Sequence, residues 1–257
     1  MKIRKEIQKL RGEGANALSF RSCRPLVGLV KPTMRPGSFE ELVRIVPRDI
    51  EFLPLHQHVE KGSEDEFKGA IDAYWKAAES LAQQEVNLIH LAGTPPFMML
   101  GPEEERKLAG RWEQEFNTQI SIAPELDASA LRALGVQNLI GVTYSEFQNS
   151  LSEAYMREAG FNVLAMEPIK SSFEGASEIS SSLVYAHIRK NMLRHPRADG
   201  IYIQGNAWRV INIIDKLETD FGVPVVHANC ALSWRIQKIF GMHRPKDGFG
   251  QLIRQLP

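Results

Sequence analysis

Cysteine is nearly missing from this 257-residue sequence, which has only Cys23 and Cys230. Two thiols so far apart support neither a disulfide framework nor a zinc site, so each matters, if at all, as a thiol. An excess of one charge is also missing, because 31 Lys and Arg balance 31 Asp and Glu. Nothing then points to a nucleic-acid or other polyanion partner. No run approaches the roughly 18 consecutive apolar residues of a membrane span, and the opening "MKIRKEIQKLRGEG" lacks the apolar middle of a secretory signal. The expectation is a cytoplasmic protein with no membrane partner. The basic residues of that opening (Lys2, Arg4, Lys5, Lys9 and Arg11) read as a solvated or packing N-terminal helix in preference to a surface-binding arm.

What is present is an ordinary globular composition, 43% apolar and 24% charged, with enough chain for one large core or two small ones in contact. Eight short apolar runs, at 26–30, 50–55, 86–93, 119–123, 138–143, 161–166, 200–205 and 223–228, read as buried strands. Amphipathic segments lie between them. Ile71, Tyr74, Trp75, Ala78 and Leu81 share one helical face, so the Tyr74/Trp75 pair reads as core. A second helix is expected from Ser145, with Gln148 completing a capping box, Phe147, Leu151, Ala154 and Tyr155 buried, and Gly160 as its stop. Strands that are apolar on both faces and alternate with helices imply parallel sheets covered by helices, an α/β fold.

The chain also repeats itself. Gly93 of "HLAGT" follows Gly28 of "VGLV" by 65 positions, and Gly205 of "YIQGN" follows Gly141 of "IGVT" by 64. Two related α/β halves are implied. Ligands of such sheets gather beyond the carboxyl ends of the strands, which would place Gly93-Thr94 and Gly205-Asn206 on either side of one cleft. A helix is expected to begin near Ala207.

The ordered fragments "GLVKPTMRPGSFEELVRIVP", "HLAGTPPFMMLG", "ALGVQNLIGVTYSEFQNSL", "DGIYIQGNAW" and "LETDFGVPVVHANCALSW" resemble the arylmalonate decarboxylase and maleate isomerase branch of the aspartate/glutamate racemase superfamily. The resemblance covers most of the chain after about residue 25. It implies two Rossmann-like parallel-sheet domains related by a pseudo-twofold, with the active-site cleft between them. The last helix would return to the first domain, giving residues 26–125 plus 229–257 as one domain, 126–228 as the other and 1–25 as an extension. It also implies cofactor-independent, metal-free chemistry on a small-molecule carboxylate through an enediolate, by racemisation, isomerisation or decarboxylation. A homo-oligomer is left open.

By the same resemblance, Gly93, Thr94 and Pro95 fall on the first oxyanion-binding loop, Tyr144 on a tyrosine whose hydroxyl contacts the carboxylate, and Gly205 and Asn206 on the second loop. The racemases and isomerases carry a cysteine at both strand tips and the decarboxylases one at the second, where this chain has Gly93 and Gly205. Glycine has no group for proton transfer or addition. Pro95, in place of a small hydroxyl residue, also lacks an N–H donor.

The remaining candidates come with plain structural alternatives. Thr94 and Tyr144 are the anion-binding candidates, against a loop cap and a packed ring. Asn206 orients an acid or closes a turn, and Lys31 pairs with a substrate carboxylate or is solvated. Cys230, near the start of the last long helix, is a thiolate candidate or a buried structural cysteine. His227 and His90, within strands, are acid/base candidates or core histidines. His56 and His58 have a metal-like spacing but no further ligand cluster, so no metal is assigned. Two functions follow as expectations: an enzyme acting on a small acid with non-standard catalytic residues, or a non-catalytic small-anion binding or regulatory descendant.

Overall fold

Leu26–Lys31 (β1) forms the second strand of a parallel sheet whose order is β2-β1-β3-β4, with β2 at Glu51–His56, β3 at Leu88–Leu91 and β4 at Gln119–Ile122. The same order recurs in a second parallel sheet, β6-β5-β7-β8, with β5 at Asn138–Thr143, β6 at Asn162–Pro168, β7 at Gly200–Ile203 and β8 at Val225–His227. All eight expected strands are present, and the repeat read from the glycines is a repeat of topology. Gly28 and Gly141 occupy β1 and β5, while Gly93 and Gly205 lie just beyond β3 and β7. This computed structural model describes residues 24–33, 38–172, 175–205 and 208–257. The leader read as an N-terminal helix, Cys23, Asn206 and Ala207 lie outside the described residues.

In chain order the helices are α1 (Ser38–Ile45), α2 (Glu64–Lys68), α3 (Ala70–Ala82), α4 (Thr94–Met98), α5 (Gly101–Phe116), α6 (Ala123–Ala133), α7 (Glu146–Glu158), α8 (Ser181–Arg194), α9 (Ile211–Phe221), α10 (Ala228–Ile239) and α11 (Gln251–Gln255). Strand alternation sorts β1 between two cores. Val30 joins Tyr74, Ala78 and Leu81 of α3 and Trp112 of α5, whereas Val27 and Leu29 join the larger core that spans both halves. The last long helix, α10, packs against α1, which follows β1, and against α6, which follows β4 and leads into the second sheet.

Four local readings need correction. Tyr74 is fully buried, but Trp75 is only half-buried, with its indole N–H donating to Glu115. Ser145 does cap α7 by accepting from the Gln148 N–H, yet the Gln148 side chain turns to the Tyr144 hydroxyl instead of closing the box. The buried face of α7 is rotated from the expected one: Gln148, Asn149, Ser152, Tyr155 and Met156 are buried, Phe147 and Leu151 only half-buried, and Ala154 exposed. Finally, the helix after β7 begins at Ile211, not near Ala207: Trp208 and Val210 are fully buried, and Val210 has a non-helical φ of −130°.

Polar groups also cross between the halves. The Tyr155 hydroxyl of α7 donates to Glu105 of α5 at 2.5 Å, and the Tyr202 hydroxyl of β7 donates to Asp127 of α6 at 3.0 Å. Burial pushes the Glu105 carboxyl up to about 7 and that of Asp127 to about 8. A buried acid holds its proton here because the charged form would lose its hydration, and the tyrosine hydroxyls oppose this only in part.

Candidate active site

The carboxyl ends of β1, β3, β5 and β7 open on one cleft of about 730 Å³, mouth included, to which both halves contribute. Lys31, His90, Gly93 and Thr94 line it from the first half, and Tyr144, Gln148, Gln204 and Gly205 from the second. Six of the proposed site residues are thus brought together: Lys31, His90, Gly93, Thr94, Tyr144 and Gly205. Two others, His227 and Cys230, do not line the cleft.

Each tip has a local cause. Gly93 leaves β3 with φ of +101°, a backbone conformation that a residue with a β-carbon rarely adopts, and caps α4. That helix opens Thr94-Pro95-Pro96, so two of its first three residues bring no N–H to the cleft. Gly205 has φ of +74° after β7. The tips differ in the space around them. A β-carbon on Gly93 would collide with the Tyr74 hydroxyl, which donates to the Ala92 carbonyl at 2.6 Å, whereas one on Gly205 would meet nothing within 4 Å.

The two halves are tied across the cleft by the Gln204 amide, which donates to the Thr94 hydroxyl. On the opposite side the Gln148 amide donates to the Tyr144 hydroxyl at 2.7 Å, and the Tyr144 ring lies edge-on to Trp208. Both glutamines are almost fully buried, and the Oε1 atoms of both are without a hydrogen-bond partner. A buried polar atom in that state costs about 1–3 kcal/mol, which a ligand group bearing a hydrogen-bond donor, such as a hydroxyl, would recover. Sequence reasoning missed both. The available signal was the Ser145 cap, which makes Gln148 the third residue of α7 and turns its side chain back toward the residues that precede the helix.

Charge among the described lining residues has one sign. Lys31 is 4% exposed, its amine pulled below the ordinary value by burial, and the described lining holds no Asp or Glu. His90 sits on β3 with Nδ1 3.2 Å from the Ser121 hydroxyl, and burial pushes its imidazole down to about 3. It is therefore neutral through the physiological range.

His227 ends β8 fully buried, pushed down to about 4 by burial against a smaller opposing pull from the Gly205 backbone. Cys230 is also fully buried in α10, its thiol 3.6 Å from the Phe249 carbonyl oxygen. Desolvation, helped by Glu41, Glu218 and Asp215, pushes that thiol up, opposite to the lowering expected at a helix start. His58 lies outside β2 and pairs with Glu60 at 2.7 Å. Among the described residues no group of three or more His, Cys, Asp or Glu is placed to hold a metal ion.

The profile of the family described as arylmalonate decarboxylase matches residues 27–253, both sheets and all that lies between them. The chain belongs to this family. No curated protein matches it significantly. Solved structures share its fold at low identity. The maleate isomerase Iso from Pseudomonas putida S16 is 18% identical with a TM-score of 0.84, covering 91% of this chain and 99% of its own. An unliganded arylmalonate decarboxylase is 19% identical with a TM-score of 0.77, covering 90% and 99%. A Nocardia farcinica maleate cis-trans isomerase variant, solved with a covalently bound succinylcysteine intermediate, is 19% identical with a TM-score of 0.83, covering 90% and 98%. In this member of the family both strand tips are glycine, and the only described cysteine is buried outside the cleft.

Proposed function

We propose that this protein is a cofactor-independent enzyme acting on a small carboxylic acid through an enolate-like intermediate, as a decarboxylase, isomerase or related lyase. One observation carries the reading: a largely buried cleft between the two strand tips, whose described lining holds one cation and no carboxylate and is walled by hydroxyl and amide groups. Lys31 supplies the attraction for the substrate carboxylate. The hydroxyls of Thr94 and Tyr144 and the amides of Gln204 and Gln148 surround the place where negative charge develops. Such preorganised dipoles in a dry site stabilise an enediolate more than water does, because they need no reorganisation as the charge forms. The family membership and the maleate isomerase and decarboxylase folds support the same class of substrate.

The experiment is a panel of substituted malonates, maleate and hydroxy or amino diacids, followed by NMR for CO2 loss, isomerisation or deuterium uptake at the α-carbon. Turnover of at least one member is expected. A second reading, a small-anion binding or regulatory protein, draws on the two glycine tips, which remove the side chains that would attack or protonate carbon. It is favoured if members of the panel raise the unfolding temperature without any chemical change.

A further inference from the structure

An enolate-like intermediate has to receive a proton at carbon, and neither tip has a side chain to give one. The described lining of the cleft holds three titratable side chains: Lys31, His90 and Tyr144. His90 is a neutral imidazole engaged with Ser121, and a neutral ring is a very weak acid. The Tyr144 phenol accepts from Gln148 at 2.7 Å, and its ring is held edge-on to Trp208, so its oxygen is committed to a fixed hydrogen bond and not to a carbon acceptor. Lys31 remains. Alternation along β1 puts its side chain on the face of Val27 and Leu29, toward the core shared by the two halves. The pairing of Val30 with Leu91 on β3 brings Lys31 alongside Ala92, directly before the Gly93 tip.

We propose that Lys31 is the acid that delivers the proton to the substrate carbon. The inference rests on the reading of the cleft as a small-acid site. For a substituted malonate dianion, the bond from the α-carbon to one carboxylate breaks, CO2 leaves, and the electron pair passes into the remaining carboxylate as an enediolate. The ammonium of Lys31 then transfers H+ to the α-carbon, the pair returns to form the C–H bond, and the product is the substituted acetate. The neutral amine regains a proton from solvent, so each turnover consumes one proton.

The surroundings suit this task. Burial makes the ammonium a stronger acid than a solvated lysine, bringing it closer to the pH at which it works. The groups facing it from neighbouring strands are His56, its partner on β2, and His90 on β3. His56 is itself lowered, by burial and then by the Lys31 charge, so the lysine holds the positive charge while both imidazoles stay neutral near pH 7.

The test uses the full chain with a phenyl-substituted malonate. Lys31→Ala and the near-isosteric Lys31→Met are expected to lose about 100-fold or more in kcat, the usual contribution of a positioned general acid. Ethylammonium added to Lys31→Ala restores turnover saturably, with a rate that follows the acidity of the amine across a series. Lys31→Arg keeps the charge but stays slow, because guanidinium is too weak an acid. Full kcat in Lys31→Arg with only KM raised, or no rescue by any amine in a variant that still binds the malonate, overturns the proposal and leaves Lys31 as an anion anchor. If the parent protein neither binds nor converts any acid of the panel, the small-acid reading falls with it.

Discussion

The hydroxyl of Tyr74 stands where a β-carbon on Gly93 would have to be. It is fixed there by its bond to the Ala92 carbonyl and by burial on every side. A cysteine at this tip, as the resemblance to racemases and isomerases implies for them, therefore has no room here. Gly93→Ala or Gly93→Cys is expected to lower stability by about 2–4 kcal/mol, from the positive φ and the collision together. Tyr74→Phe alone costs about 1 kcal/mol for the lost hydrogen bond. Combined with Gly93→Ala it costs less than the two added, since the colliding oxygen is gone. Urea unfolding of the four proteins measures this coupling, and strict additivity would show that the hydroxyl is not what excludes a side chain.

Gly205 makes the contrary case, because a β-carbon there meets nothing within 4 Å. Gly205→Cys is expected to fold with a penalty of only about 1–2 kcal/mol from its positive φ. The new thiol faces the cleft, so the native variant takes up one more equivalent of a thiol reagent than the parent. Maleate or a substituted malonate slows that labelling by occupying the same space. Labelling at an unchanged rate in the presence of every acid would count against binding between the two tips.

The fold was legible to the extent that burial is written in runs of apolar residues. The inner strands of these parallel sheets are covered on both faces, so "LVGLV" or "GIYI" announces itself without a partner in view, whereas the edge strands β2 and β6 are only partly buried. The α7 face was misread because its buried residues are polar and find partners at a distance. The Asn149 amide donates to the Met166 carbonyl at 2.7 Å and the Ser152 hydroxyl approaches the Met98 sulfur at 3.5 Å. Hydropathy cannot register such satisfaction. The same limit hid the site glutamines: Gln204 acquires its role from Thr94, 110 positions earlier, and only folding brings the two together. Cys230 failed in the opposite way. Its place near a helix start was visible, but the core that closes over it and raises its pKa was not.

The Gln204–Thr94 bond yields a prediction on binding. Thr94→Val keeps the shape and removes the acceptor, leaving both ends of the buried Gln204 amide unpartnered. A loss of about 1–3 kcal/mol in stability is expected. If the same hydroxyl faces the bound acid, Thr94→Val also weakens ligand-induced thermal stabilisation, whereas Thr94→Ser, which restores the oxygen, retains most of both. Equal ligand stabilisation in Thr94→Val and the parent would confine Thr94 to the structural tie.

The acids that cross between the halves give stability a pH dependence of definite sign. Asp127 and Glu105 titrate near 8 and 7 in the folded protein, against about 4 in the unfolded chain. The folded state therefore holds protons that the unfolded state has already released. Their stabilising contribution is complete below about pH 4, declines above that at up to about 1.4 kcal/mol per pH unit for each group, and is gone once pH has risen through 7 and 8. Glu41, raised to about 7, adds to the same trend, so the parent alone cannot isolate the Asp127 share. Asp127→Asn can, because the amide still offers an oxygen to the Tyr202 hydroxyl but does not ionise. Urea unfolding between pH 5 and pH 9 is expected to show a shallower decline in this variant, the gap between the two curves growing from pH 5 and levelling off above about pH 8. Parallel curves would mean that Asp127 is already ionised beneath Tyr202, and that the bond between the halves joins a phenol to a carboxylate, not to an acid.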